Sequence, residues 1–383
     1  MEKRNIHILG TIIIVIMVIG FAELMAYVKS CQLIKYSIGF TPLDITESYE
    51  SYEKRHNPRL GWLPSPSKVD VEGSRPIPAF LDPTQKRDCV SLYGDSFTEG
   101  AWVDNEHAWS NVLSLLLNCR VANYGVSGYG TDQAYIRFLD NHEDQAKVVI
   151  LGYISENLMR NVNQLRNLIS PSTKCFLKPR FTLDERGQLN LIPIPLLTKR
   201  EYNTLRKNPG AVLSHEYFLP GGKSGFQRMR FPYTWGIIKI FPIIYRNLLL
   251  HRPTFFDLYQ SGNSSKAMDV TVGIMREFSR EARERGKQPL ILIIPTLFDI
   301  KAYHQSGKWV YQPVVDLLLK QKLAFIDSGP AISHYLGGAP VETLYPMEKK
   351  NHFSNKGNEI LAKIVYDYLS QKNLHIWENK VKK

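Results

Sequence analysis

Several things are scarce in these 383 residues, and each scarcity removes a class of protein. Four cysteines, Cys31, Cys89, Cys119 and Cys175, are too few for a disulfide framework and lack the spacing of a metal site. No phosphate-cradling glycine loop and no His, Cys or carboxylate cluster of metal type is present, so neither cofactor nor metal is implied. Acidic residues are outnumbered, 36 against 48 lysines and arginines. The basic excess is spread along the chain without a nucleic-acid recognition motif, which argues against nucleic acid and suits an anionic lipid or polymer. Internal repeats and low-complexity tracts are also missing. An apolar fraction of 44% and a charged fraction of 22% leave an ordinary globular chain, long enough to bury a full core.

The exception is the start. Residues 6–28 are apolar except for His7 and Glu23 near the two ends. As a helix they extend roughly 35 Å at 1.5 Å per residue, enough to cross a hydrocarbon core of about 30 Å. The run is long and no small-x-small cleavage site follows it, which predicts an uncleaved anchor rather than a signal peptide. Lys3 and Arg4 on a very short tail place that tail in the cytoplasm and the bulk of the chain outside it.

Three further blocks follow the anchor and tail of residues 1–30. Residues 31–86 contain Pro58, Pro64, Pro66, Pro76, Pro78 and Pro83 with little periodicity and read as an extended connector, on which Gly61-Trp62-Leu63 is expected to dock. Residues 87–372 alternate apolar runs with amphipathic segments. Strands are predicted at 89–93, 120–124, 147–153, 289–295 and 323–327, and helices at 108–117, 131–141, 264–285, 310–321 and 354–369. Such alternation implies a parallel sheet covered on both sides. An insertion at about 165–262 breaks the rhythm, with a hairpin of 180–183 and 188–192 joined through Asp184-Glu185-Arg186-Gly187. Residues 373–383 form a basic tail. Cys89 and Cys119 fall in apolar runs and are expected as buried thiols; a bridge requires neighbouring strands and an oxidising compartment.

Gly94-Asp95-Ser96 stands where the first strand turns toward a helix, at the edge where open α/β sheets place ligands. Gly94 and Gly100 are expected to give a tight turn and room for substrate. The loops after the second and third strands carry Gly125, Gly128 and Gly130, then Gly152 and Asn157; Asn351-His352-Phe353-Ser354 precedes the last helix. In a parallel sheet these loops emerge together.

These blocks resemble the SGNH (GDSL-type) hydrolase family, with Ser96, Gly128, Asn157 and His352 in its serine, glycine, asparagine and histidine blocks. The resemblance covers roughly the 280 residues after Lys86. It implies a flavodoxin-like three-layer sandwich with a five-stranded parallel sheet, an inserted subdomain and an N-terminal transmembrane helix. Ser96 would be the nucleophile and His352 its base. The backbone N–H groups of Ser96 and Gly128 and the Asn157 amide would form the oxyanion hole, with Asn161 and Asn163 as rivals for the asparagine.

The family's acid three residues before the histidine is replaced by Lys349, beside Lys350. Glu348 is the expected substitute, and Asp327 a distant one whose ordinary role is a cap. Arg160, Arg166, Lys178 and Arg180 are read either as solvated surface or as contacts for an anionic or sugar substrate. The expected activity is a membrane-anchored serine esterase acting on acylated envelope glycans or lipids, among envelope biosynthesis proteins. The alternatives are an O-acyltransferase of an envelope polysaccharide and a non-catalytic glycan-binding or assembly module.

Overall fold

The structure, a computed structural model, describes residues 2–81, 88–349 and 352–372. The basic tail of 373–383, Lys350, Asn351 and Pro83 lie outside the described residues. The chain divides into two compact units. One comprises Met1–His56, Asn163–Leu177 and Pro195–Thr254; the other comprises Asn57–Val162, Lys178–Ile194 and Phe255–Lys383.

The second unit is built on β1 (Asp88–Tyr93), β2 (Arg120–Asn123), β3 (Val148–Tyr153), the hairpin β4 (Arg180–Leu183) and β5 (Leu189–Ile192), β6 (Gln288–Ile293) and β7 (Phe325–Asp327). Five strands form a parallel sheet in the order β2-β1-β3-β6-β7, and β4 pairs with β5 antiparallel. Val148, Val149, Ile150 and Leu151 are all buried, as consecutive residues are when both faces of a strand are covered. The helices Trp109–Leu117, Thr131–Asp140 and Ala267–Glu284 pack on β2, β3 and β6 respectively. The sheet order reverses between β1 and β3, so the loops after these strands flank the crevice where such folds hold ligands.

The other unit contains the helix Glu2–Lys35, within which Ile6–Lys35 is long and apolar enough to cross a membrane. It also holds the helices Tyr49–Arg55, Lys199–Lys207 and Tyr233–Ile244. Glu47 organises part of it, accepting from Arg55 and from Cys175 N, while Tyr202 Oη donates to the Glu47 carbonyl.

Three expectations are corrected here. Residues 31–86 are not one extended connector: the first helix runs on to Lys35, Tyr49–Arg55 is helical, and the chain from Asn57 belongs to the sheet unit. The cause is side-chain pairing. Arg120, only 1% exposed at the start of β2, donates to Asp70, Glu72 and Asp88, and Trp62 is buried with its indole N–H on Ser127 O. The insertion likewise does not run unbroken from 165 to 262, because the hairpin at its centre belongs to the sheet unit. Finally, Cys89 and Cys119 are joined in a disulfide, since β1 and β2 are neighbours and bring the two Cα atoms to 6.1 Å.

Burial lifts the Asp88 carboxyl to about 6 in spite of the Arg120 guanidinium beside it. Replacing Arg120 with Met leaves three carboxylates around an uncharged side chain. Chemical denaturation is expected to show a loss of about 3 to 5 kcal/mol, the usual consequence of breaking a buried ion pair from one side.

Candidate functional site

Ser96 opens the short helix Ser96–Glu99 directly after β1, with Asp95 as its N-cap accepting from Phe97 N at 2.9 Å. The first N–H groups of a helix have no acceptor within it, so the Ser96 amide is available to a ligand. Gly94 has a different purpose from the tight turn expected. A Cβ on Gly94, or on Gly152 at the end of β3, would lie 2.0 Å from Thr98 Oγ1. The two glycines together admit the Thr98 side chain, which lets this helix sit down on the strand ends. Trp109, fully buried, donates its indole N–H to the Phe97 and Thr98 carbonyls and holds the same turn from the next helix.

His352 reaches this turn from the far end of the chain. Its Nε2 lies 2.8 Å from Ser96 Oγ. The contact depends on Phe97: the imidazole stacks on that ring with centroids 4.8 Å apart, and Phe353 meets the ring edge-on at 5.5 Å. Behind them Ser354 caps the last helix, Asn355–Gln371, and its backbone N–H donates to Leu344 O. Trp102 stands 6.3 Å from the imidazole centroid, about half exposed and with φ +73, a conformation that non-glycine residues rarely adopt.

Gly128 lies in a turn closed by Tyr129 N on Val126 O, and its φ of +85 is what the third position of a type II turn requires. The turn is fastened on several sides. Tyr129 Oη donates to Trp62 O, Ser127 Oγ donates to Glu99, and Arg160 donates to Tyr129 O. Arg160 also meets Asp95 Oδ2 at 3.3 Å, so one buried guanidinium links the loops after β1, β2 and β3. Burial pushes the Asp95 carboxyl upward against the pull of Arg160.

Of the three candidate asparagines, Asn161 donates to Thr271 Oγ1 at 2.7 Å, and Asn163 donates to Leu165 O and Glu216. Asn157 is buried and its amide makes only a 3.4 Å contact to Thr131 Oγ1. Its amide is therefore the one least committed to the protein's own acceptors.

The structure thus brings Ser96 and His352 together and sets Gly128 and Asn157 in the adjoining loops. It does not bring Glu348 to them. Glu348 is exposed, and among the described residues no hydrogen bond or ion pair joins it to His352; it precedes Lys349 in the short 3-10 turn Met347–Lys349 that ends before the histidine loop. Asp327 is occupied elsewhere, accepting from Tyr311 Oη and Gly329 N. Arg160, Lys178 and Arg180 are neither solvated nor free for substrate, since all three are buried against carboxylates or carbonyls. Phe97 and Trp102 were not legible as site residues; only their closeness to Ser96 in sequence hinted at a role.

No protein-family model matches the sequence, and no curated protein matches it. Solved structures with similarity include a G-D-S-L family protein from Desulfitobacterium hafniense DCB-2, at 12% identity and TM-score 0.36, covering 73% of this chain and 97% of that one. An acetylxylan esterase from Geobacillus stearothermophilus, solved as a catalytic mutant, gives 12% identity and TM-score 0.35 over 75% of this chain and 94% of its own. An acetyl xylan esterase from Butyrivibrio proteoclasticus gives 12% and 0.31 over 76% and 65%.

One carboxyl at this edge generates a pH prediction. Asp299 is fully buried and accepts from Ser155 Oγ, Thr296 N and Thr296 Oγ1, yet burial outweighs these donors and lifts it to about 6. The folded state holds this proton more tightly than the unfolded state does, so its contribution to stability falls as pH rises from about 4 through 6, by about 3 kcal/mol. Asp299→Asn is expected to remove that fall, read as a gain relative to wild type in chemical denaturation at pH 7 that shrinks at pH 4.

Proposed function

We propose that this chain is a membrane-anchored serine esterase of the SGNH type, with Ser96 as nucleophile and His352 as its base. The 2.8 Å approach of Ser96 Oγ to His352 Nε2 carries the reading. A serine hydroxyl is a weak nucleophile at neutral pH, so a neutral imidazole must take its proton as Oγ attacks the acyl carbon. The oxyanion then accepts from the Ser96 and Gly128 N–H groups and the Asn157 amide. The imidazolium returns the proton to the departing alcohol, and water, activated by the same imidazole, releases the acid.

Glu348 is exposed, and the imidazole stacks on Phe97, which restricts the ring's orientation beside Ser96. The substrate class proposed is an acylated glycan or lipid of the cell envelope, for which the exposed face of Trp102 beside His352 offers an apolar platform. The disulfide between Cys89 and Cys119 supports an oxidising compartment for the sheet unit, in agreement with a short basic tail held in the cytoplasm.

A fluorophosphonate probe is expected to label the wild-type protein and not Ser96→Ala; equal labelling of both overturns the assignment. In a chromogenic acetyl-ester assay, His352→Ala is expected to lower kcat by about a thousandfold or more, and Asn157→Ala by about a hundredfold. Glu348→Gln is expected to leave kcat within about twofold, as for a surface carboxylate outside the reaction. Phe97→Ala is expected to lower kcat while Ser96 still labels slowly, since it loosens the base and leaves the nucleophile.

A further inference from the structure

The helix Tyr233–Ile244 and the turn Tyr245–Leu249 that follows it carry two apolar faces, of which only one is covered by protein. The inner face holds Ile240, fully buried in a cluster with Leu33 and Phe40, flanked by Ile237 and Ile244. Leu33 belongs to the long N-terminal helix, so part of this packing is against the candidate membrane span itself. The outer face presents Phe231, Trp235, Ile238, Phe241, Leu248 and Leu249, with Ile238 61% exposed and Phe231 69%. Trp235, Ile238, Phe241, the half-exposed Tyr245 and Leu248 recur every three or four residues, the spacing of one helical stripe. A continuous uncovered apolar stripe of this size marks a surface that something apolar covers.

Its link to the span identifies the cover. Glu23, the acid near the end of the apolar run, accepts from Tyr233 N at 2.7 Å and from the Thr234 hydroxyl, so a carboxylate of the span caps the start of this helix. Tyr27 of the span packs on Tyr233, with centroids 5.1 Å apart. Contacts at 23 and 27 with 233, followed by clustering of 33 with 240, show the two helices running in the same direction along one another. The stripe therefore lies beside residues 23–33, where the span passes from hydrocarbon to headgroups. Trp235 is a residue type enriched where membranes meet water, and Lys239 lies over its ring, 5.6 Å from the centroid, with Arg228 and Arg230 exposed nearby in sequence.

We infer that Tyr233–Ile244 is a second membrane contact, a collar seated in the interfacial layer of the same leaflet, with its outer stripe against lipid. The inference rests on the anchor reading given above, and it accounts for Glu23: a charge at this depth is costly unless it is paired or hydrogen-bonded.

The test places nitroxide labels, one at a time, on Ile16→Cys, Trp235→Cys, Ile238→Cys and Arg200→Cys. The labelled full-length chain is a Cys31→Ser background reconstituted into phosphatidylethanolamine and phosphatidylglycerol vesicles. Collisions with oxygen, which partitions into lipid, are compared with collisions with a water-soluble nickel chelate. Labels at 16, 235 and 238 are expected to shift from nickel-dominated to oxygen-dominated relaxation, and the label at 200 to stay nickel-dominated. Oxygen dominance at 16 with nickel dominance at 235 and 238 overturns the collar and leaves the anchor. Shielding of 235 and 238 from both reagents overturns it in favour of a protein cover, a second copy or another chain. Nickel dominance at 16 removes the anchor and the collar together.

Discussion

An imidazole held 2.8 Å from a hydroxyl that lies 256 positions away in the chain is the demand this architecture meets. No local structure can do it. A parallel sheet can, because every strand ends at the same edge and every following loop begins there. The remaining adjustment is made by rings: Phe97, adjacent to Ser96, contacts both His352 and Phe353, so the residue that follows this serine also packs on the imidazole. The close seat of this turn relies on what Gly94 and Gly152 lack, the Cβ atoms that would displace Thr98.

The opposite ends of the strands are treated differently. Cys89 and Arg120, at or near the starts of β1 and β2, carry a covalent link and a buried guanidinium surrounded by three carboxylates. Two of those carboxylates come from the stretch before β1, which is how a proline-rich segment becomes part of a sheet domain. Trp62 works from the same stretch but at the loop edge, bonded to Ser127 and Tyr129 on either side of Gly128.

Much of this was legible because it follows from periodicity. The five sheet strands and the hairpin fall within one or two residues of the positions that their short apolar runs predict, and the last helix follows its stripe of Ile360, Leu361, Val365 and Leu369. The helices Lys199–Lys207 and Leu297–Ser306 escaped, although Thr198 with Glu201 and Thr296 with Asp299 form the reciprocal caps that announce a helix start. Their stripes are too polar or too mixed for a period to stand out. Pairings between distant segments were out of reach for another reason. The Cys89 to Cys119 bond follows only once β2 is known to lie beside β1, and the seat of His352 on Phe97 depends on where a loop ends rather than on any spacing.

Glu23 gives the first helix a second identity. By closing the start of Tyr233–Ile244, it makes a segment that looks detachable into a scaffold for residues two hundred positions downstream. Trimming the first helix would remove the cap, Tyr27 and Leu33 at one stroke, and would leave the greasy helix only Phe40 and Ile38 to pack on from that side. The boundary between the long apolar helix and the body it supports therefore has to be drawn beyond Lys35.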